Sequence, residues 1–334
     1  MRTTEKTRAP RNRTITLTES ERDYYRKKIV NKSAVTTSSL ENQIVNADFN
    51  DYLPSIEDQS VDLLILDPPY NLDKNFNGFK FSSRSFESYT EYLQAAIASL
   101  IPKLKQTATI YICGDWKTSV SIYEAAQGFF KVRNRITWER EKGRGALTNW
   151  KNCSEDIWFC TMSDDYVFNV KDVMLRRKVI APYKDSKGNP KDWTQSSDGN
   201  FRDTSPSNFW SDITIPFWSM PENTDHPTQK SEKLIAKLIL ASSSPQDLVL
   251  DPFLGSGTSA VVAKKLNRRY LGFDINEEYC LLAAKRIEIA ETDGTIQGYS
   301  NSVFWERNSL NFQKETKDAA PKELTATMQK DLFS

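Results

Sequence analysis

Residues 248–258, LVLDPFLGSGT, indicate the fold class. They begin as a short apolar run, continue through a turn with glycines at 255 and 257, and lead into TSAVVAKKL, residues 258–266. The pattern predicts a buried strand, a tight turn and a helix. The next strand, YLGFD, ends at Asp274, nineteen residues after Gly255. An acid there is typical of a doubly wound site, where it binds ribose hydroxyls. The order predicts an adenosine-containing ligand, with its anionic part at the helix N-terminus.

Other apolar runs extend this pattern along the chain. VDLLILD (61–67), TIYICG (109–114), 131–139 and 154–163 are typical of strands, and 87–104, 116–130, 228–243 and 277–291 have helical spacing. Such alternation predicts an α/β fold with a mainly parallel sheet and helices on both faces. Because position 260 is Ala and no GK[ST] occurs, a dinucleotide dehydrogenase and a P-loop NTPase are disfavoured.

A second motif, Asp67-Pro68-Pro69-Tyr70, ends the strand that begins at residue 61. Ligands of such sheets bind beyond the carboxyl ends of the strands, so this turn should face the cleft. The two prolines lock φ and remove two donors, which leaves the Asp67 carboxylate and the Pro68 carbonyl as acceptors beside the Tyr70 ring. A planar amino group stacked on the ring fits these acceptors.

Composition excludes several other classes of protein. The 334 residues hold 45 Lys and Arg, 44 Asp and Glu, four cysteines and one histidine, His226. This balance excludes a uniformly basic chain, and one histidine excludes HExxH and multi-histidine metal sites. The cysteines, none in a CxxC, favour a reducing cytoplasm, and no apolar run is long enough to span a membrane. We therefore predict a cytoplasmic protein with no metal site, in which His226 is structural.

DPPY upstream of DPFLGSGTS, with HPTQK (226–230) before the latter, resembles the β arrangement of the DNA amino-methyltransferases. The resemblance covers about residues 43–295 and implies a Rossmann-like sheet with permuted motif order and S-adenosylmethionine as cofactor. It implies catalysis by Asp67, Pro68, Pro69 and Tyr70 on a base flipped out of duplex DNA. The implied cofactor-binding residues are Asp48 at the adenine, Asp274 at the ribose, Phe253, Gly255 and Gly257 at the methionine and sulfonium, Thr228 and Thr258 at the carboxylate, and the adjoining Asp251 and Ser256.

The chain divides into five segments on composition and resemblance: a basic arm (1–40), a catalytic half (43–164), an inserted target-recognition region (165–225), a cofactor-binding half (226–307) and a polar tail (308–334). The arm holds ten Lys and Arg against four acids, and is interpreted as either solvated or lying on phosphates. The residues predicted to contact DNA phosphates are Arg140, Lys142, Arg144, Arg176, Arg177 and Lys178.

Several alternatives stay open from the sequence alone. The same chemistry would methylate the N4 amine of cytosine. Cytosine-specific members of the family more often carry Ser in place of Asp67, so adenine is favoured as the substrate. A non-catalytic DNA-recognition protein and an RNA or protein methyltransferase are the others. Besides double-stranded DNA, the predicted partners are a second copy of the chain, a cognate restriction endonuclease and, through Gln329–Phe333, the bacterial sliding clamp.

Overall fold

Parallel strands form the centre of the structure, a computed structural model that describes residues 9–31, 40–76, 79–140, 147–179, 183–196 and 199–309. Within these ranges the helices are α1 Glu19–Arg26, α2 Phe86–Leu100, α3 Ser119–Gln127, α4 Glu232–Ser242, α5 Thr258–Lys265 and α6 Glu277–Thr292. The strands are β1 Val30–Asn31, β2 Gln43–Asn46, β3 Val61–Leu66, β4 Lys74–Phe76, β5 Phe79–Phe81, β6 Leu104–Gly114, β7 Lys131–Glu139, β8 Ser154–Thr161, β9 Leu175–Lys178, β10 Thr194–Ser196, β11 Gly199–Thr204, β12 Phe209–Trp210, β13 Leu248–Asp251, β14 Arg269–Asp274, β15 Tyr299–Ser300 and β16 Val303–Trp305.

The main sheet has nine strands in the order β1-β2-β14-β13-β3-β6-β8-β7-β12. Its neighbours pair in parallel except at β6/β8 and β8/β7. Strands β3 and β13 are adjacent, although their sequences are about 190 residues apart. The two motifs that end these strands are therefore brought side by side at one edge of the sheet.

Helices cover both faces of this sheet, as the sequence predicts. Leu63 and Ile65 of β3 pack in one core with α4, α5 and α6, whereas Leu64 and Leu66 pack in the other with α2 and α3. Because successive side chains of a strand point to opposite faces, a strand covered on both sides is apolar throughout. This is the reason for the uninterrupted VDLLIL run. The α/β fold with a mainly parallel sheet is confirmed.

Helix α2 ends earlier than the predicted span of 87–104. It stops at Leu100, and Ile101–Lys103 forms a 3-10 turn that contains Pro102. Proline has no N–H to continue the hydrogen bonds of the α-helix, and Leu104 already begins β6. Helix α4 likewise starts at Glu232 rather than 228, because the Ser231 side chain caps it.

The helix of the basic arm, α1, lies against α6. Helix α1 begins with the expected capping box, in which the Thr18 hydroxyl accepts from the Glu21 N–H. Arg22 pairs with Glu278 of α6 at 2.9 Å, and Arg26 pairs with Glu277 at 2.8 Å. This differs from an arm whose charges all face solvent or phosphates, since carboxylates of α6 take up part of its charge.

The predicted target-recognition region contains most of a second sheet, in the order β10-β11-β9-β16-β15. Strand β16 pairs in parallel with β9, so β15 and β16 join the sheet of the inserted region rather than the main sheet. These strands are too short to show a period, which is why the sequence does not reveal the pairing. In the part of the chain described here, no helix is long and apolar enough to cross a bilayer.

Candidate active site

A cavity of about 550 Å³ lies at the carboxyl edge of the main sheet. It brings together the turns after β3 and β13, the end of β14 and the segment 226–230. All the residues predicted for catalysis or cofactor binding line it except Gly257: Asp48, Asp67, Pro68, Pro69, Tyr70, Thr228, Asp251, Phe253, Gly255, Ser256, Thr258 and Asp274. Residues from both halves of the chain thus line one site.

The Asp274 carboxylate organises the glycine turn. It accepts hydrogen bonds from the backbone N–H groups of Gly255 at 2.9 Å and Asn276 at 2.8 Å. Burial raises its pKa to about 6, and these two hydrogen bonds partly offset the rise. Gly255 has φ of +54°, and a Cβ there would lie 3.0 Å from the imidazole of His226. Glycine therefore keeps this backbone open to the cavity.

Gly257 does not line the cavity, and its expected contact with the cofactor stays a prediction. It precedes α5 with φ of +86°, and a Cβ would lie 2.4 Å from Cβ of Ala283 in α6. Its role in the structure is to let the turn pack directly on α6.

Buried hydrogen bonds fasten this turn to neighbouring elements. Arg286 of α6 donates to the Ser256 carbonyl at 2.9 Å and to the Thr258 hydroxyl at 3.1 Å. The Thr258 hydroxyl donates to the carbonyl of Lys230, which joins the turn to the 226–230 segment. Asp251 accepts from the Ser259 hydroxyl and the Phe253 N–H. Ser256, Thr258 and Asp251 therefore support the shape of the pocket that they line.

Asp48 also lines the cavity. Its Oδ1 atom caps the 3-10 turn Phe49–Ser55 by accepting from the Asn50 N–H at 3.0 Å. The Phe49 ring packs edge-on against Phe253, with centroids 5.6 Å apart. An acid and two aromatic rings thus line this end of the cavity, as expected for the pocket of a purine.

The DPPY turn holds a group of buried charges. The Lys230 ammonium donates to Oδ1 and Oδ2 of Asp67, at 2.8 and 2.7 Å, and to the Tyr70 hydroxyl at 3.1 Å. The Tyr70 hydroxyl donates to Glu155 at 3.2 Å. Tyr89 of α2 donates to the Pro69 carbonyl at 3.0 Å and fixes the proline turn.

His226 lines the cavity, and its predicted structural role stays a prediction. Its Nδ1 atom accepts from the Thr228 N–H at 3.3 Å, and its ring packs edge-on against Tyr279 with centroids 4.4 Å apart.

The residues predicted to contact DNA lie in different surroundings. Arg140 points inward and pairs with Glu155, beside Tyr70. Arg176 pairs with Asp203 through two hydrogen bonds of 2.7 Å within the second sheet. Arg177 lies 3.8 Å from Glu306, and Lys178 ends β9. Lys142 and Arg144 lie outside the described residues. Arg140 and Arg176 thus have protein partners, which the sequence does not indicate.

Sequence reasoning missed three residues of the site: Lys230, Glu155 and Arg286. Glu155 lies between Ser154 and Asp156 at the start of β8, and its burial there is not evident from the sequence. Lys230 is the last residue of the HPTQK motif, which marked the segment but not the contact with Asp67, and Arg286 shows no signal in the sequence.

Comparisons with known proteins agree with this geometry. The N6_N4_Mtase family model, described as DNA methylase, matches residues 61–285. Type II methyltransferase M.HpaI of Haemophilus parainfluenzae is 33% identical over 71% of this chain and 71% of its own. DNA adenine methyltransferase YhdJ of Escherichia coli K12 is 30% identical over 74% of this chain and 83% of its own.

Two solved structures share the fold. The M1.HpyAVI–SAM complex has a TM-score of 0.50 and 24% identity, over 73% of this chain and 98% of its own. The PvuII cytosine-N4-specific DNA methyltransferase has a TM-score of 0.54 and 15% identity, over 75% of this chain and 90% of its own. The family match over two thirds of the chain, and the relatives of 30% identity or more, show that this chain belongs to the DNA methylase family.

Proposed function

We propose that this chain transfers a methyl group from S-adenosylmethionine to the N6 amine of an adenine flipped out of duplex DNA. The observation that carries the proposal is one cavity that holds both the glycine turn with Asp274 and the DPPY turn with Asp67. The relative YhdJ, named a DNA adenine methyltransferase, supports adenine. Because DPPY precedes the glycine turn in the chain, we assign the β arrangement of motifs.

The cavity residues suit S-adenosylmethionine. Asp274 offers acceptors for ribose hydroxyls, Asp48 and the rings of Phe49 and Phe253 suit adenine, and the side-chain-free backbone at Gly255 leaves room beside the turn. When bound, the cofactor supplies an electrophilic methyl group. Asp67 and the Pro68 carbonyl accept hydrogen bonds from the target amine, whose lone pair is otherwise conjugated into the ring. These acceptors stabilise positive charge on the nitrogen, and the Tyr70 ring stacks on the base.

Sequencing that reports modified bases on single DNA molecules tests the proposal. DNA from a methylation-free host that expresses this chain should carry N6-methyladenine at one repeated word. N4-methylcytosine in that word would select the alternative substrate, and unmodified DNA would contradict the proposal.

The type II relative suggests a companion endonuclease, which we retain as a proposal together with dimerisation. The clamp contact through Gln329–Phe333 also remains a proposal, because these residues lie outside the described part of the chain.

Cofactor affinity should depend on pH through Asp274. The raised pKa of about 6 means that this carboxyl is ionised above pH 6 and takes up a proton below it. The ionised form accepts from ribose hydroxyls, so the dissociation constant should rise by about tenfold for each pH unit below 6. Titration calorimetry at pH 5, 6 and 7.5 measures it. Asp274→Asn is the control: it should bind about 10–100-fold more weakly at pH 7.5 and lack this dependence. The same pH dependence in the variant would exclude Asp274 as its source.

Lys142 and Arg144 are proposed to bind phosphates. Each phosphate contact releases counterions, so replacing both residues by Gln should reduce the slope of log K against log salt by about 2. Fluorescence anisotropy with a labelled duplex at several salt concentrations measures the slope. Arg176→Gln is the matched control, because Arg176 is already paired with Asp203. An unchanged slope in the double variant would show that Lys142 and Arg144 do not contact DNA phosphates.

A further inference from the structure

A buried cation lies beside the DPPY turn, where the target amine is expected. Lys230 lies just before the cap of α4, and its side chain is only 9% exposed. Its ammonium donates to both carboxylate oxygens of Asp67 and to the Tyr70 hydroxyl. It therefore contacts Asp67 and Tyr70, two of the three residues to which the proposed function assigns contact with the base.

A second carboxylate completes this group. Glu155 of β8 is 5% exposed in its side chain, and its Oε2 atom lies 3.5 Å from the Lys230 ammonium. It accepts from the Tyr70 hydroxyl at 3.2 Å and from Arg140 on its other oxygen. The negative charges of the two carboxylates are thus balanced by Lys230 and Arg140. Buried charges need such pairing because they have lost their hydration. The Tyr70 hydroxyl is held between Glu155 and Lys230.

The ammonium acts as a permanent donor. Burial alone would lower the pKa of Lys230, but the charges of Asp67 and Glu155 outweigh burial and raise the pKa above its usual value. A protonated lysine has no lone pair, so it cannot accept the proton that the methylated amine must lose. A carboxylate oxygen has two lone pairs, so Asp67 keeps acceptor capacity for the amine while Lys230 holds it.

We propose that Lys230 and Glu155 are positioning residues for methyl transfer: together they fix the Asp67 carboxylate and the Tyr70 ring in the orientation that receives the target base. The sequence analysis predicts that Arg140 contacts a phosphate. In the structure Arg140 pairs with Glu155, and we infer that this pairing holds the Glu155 carboxylate in place. The inference rests on the proposed function, since it concerns the acceptor and the stacking ring of that site.

Lys230→Met and Glu155→Gln test the proposal because they keep side-chain size and remove the charge. We expect each to lower the single-turnover rate of transfer by about 100-fold, as for misplaced reacting groups, with cofactor affinity within about threefold of wild type. With 2-aminopurine at the target position, the short-lifetime component from stacking on Tyr70 should decrease in both variants. Lys265→Met is the matched control: it removes another buried lysine, paired with Glu232, from outside the cavity, and should retain the wild-type rate and lifetimes.

Four results would decide against the proposal: wild-type transfer rates in both variants, unchanged fluorescence lifetimes, loss of cofactor binding, or an equal loss of rate in Lys265→Met. The last two would show that the residues act on the fold as a whole. A wild-type protein that methylates no adenine would contradict the proposed function instead. The lifetime measurement would then still decide whether Lys230 and Glu155 orient Tyr70.

Discussion

Asp67→Ala is expected to lower the rate of methyl transfer by about 10³-fold or more while S-adenosylmethionine still binds. The carboxylate is the charged acceptor at the DPPY turn, and removing one preorganised charge-stabilising group from an active site costs on the order of 10²–10³ in rate. The variant also leaves Lys230 without its closest partner, which adds a loss of orientation at Tyr70. A transfer assay with S-adenosylmethionine labelled in the methyl group measures the rate, and calorimetry measures the affinity.

Asp58→Ala is the control for this experiment. Asp58 is also paired with a lysine, Lys103 at 2.6 Å, but it is exposed and does not line the cavity. Exposed pairs contribute at most about 1 kcal/mol, so the control should retain wild-type rate and affinity. If Asp67→Ala lost cofactor binding instead of transfer, Asp67 would belong to the cofactor site rather than to the target side.

Gly257→Ala should disrupt both the stability of the fold and the cofactor pocket. The new methyl group would lie 2.4 Å from Cβ and 2.9 Å from Cα of Ala283, and Cα belongs to the backbone of α6 and cannot rotate away. The left-handed φ of +86° costs a non-glycine residue about 1–2 kcal/mol, and overpacking costs about 1–3 kcal/mol more. We expect a free energy of unfolding lower by about 3 kcal/mol and cofactor binding weaker by at least about 10-fold, because α5 and its turn must move.

Urea denaturation and calorimetry measure the two effects. Gly294→Ala is the matched control, since a Cβ at Gly294 meets no atom within 4 Å and its φ is not in the left-handed region. It should change stability by less than about 0.5 kcal/mol. Equal stability of the two variants would show that the contact between Gly257 and Ala283 is not required.

The residues of the active site were predictable where each lies at the end of a strand. Asp67, Asp251 and Asp274 end or directly follow apolar strands, and parallel strands place their carboxyl ends at one edge. Local chemistry therefore predicted that the DPPY turn and the glycine turn meet in one cavity. Gly257 shows what this reasoning does not reach: local chemistry does not reveal that its backbone packs directly against Ala283 of α6.

The α/β class, the two turns and the capped helix of the arm follow from local patterns, because strand and helix periods, proline, glycine and capping residues act over a few neighbouring positions. Long-range packing, in contrast, brings Lys230 to Asp67, 163 positions earlier in the chain, and Glu155 to Tyr70, 85 positions away. It likewise decided that β16 joins the second sheet and that α1 lies on α6. These contacts pair single polar side chains or very short strands that are far apart in sequence. Such a pairing leaves no periodic pattern, because it depends on which elements pack together after the sheet has formed.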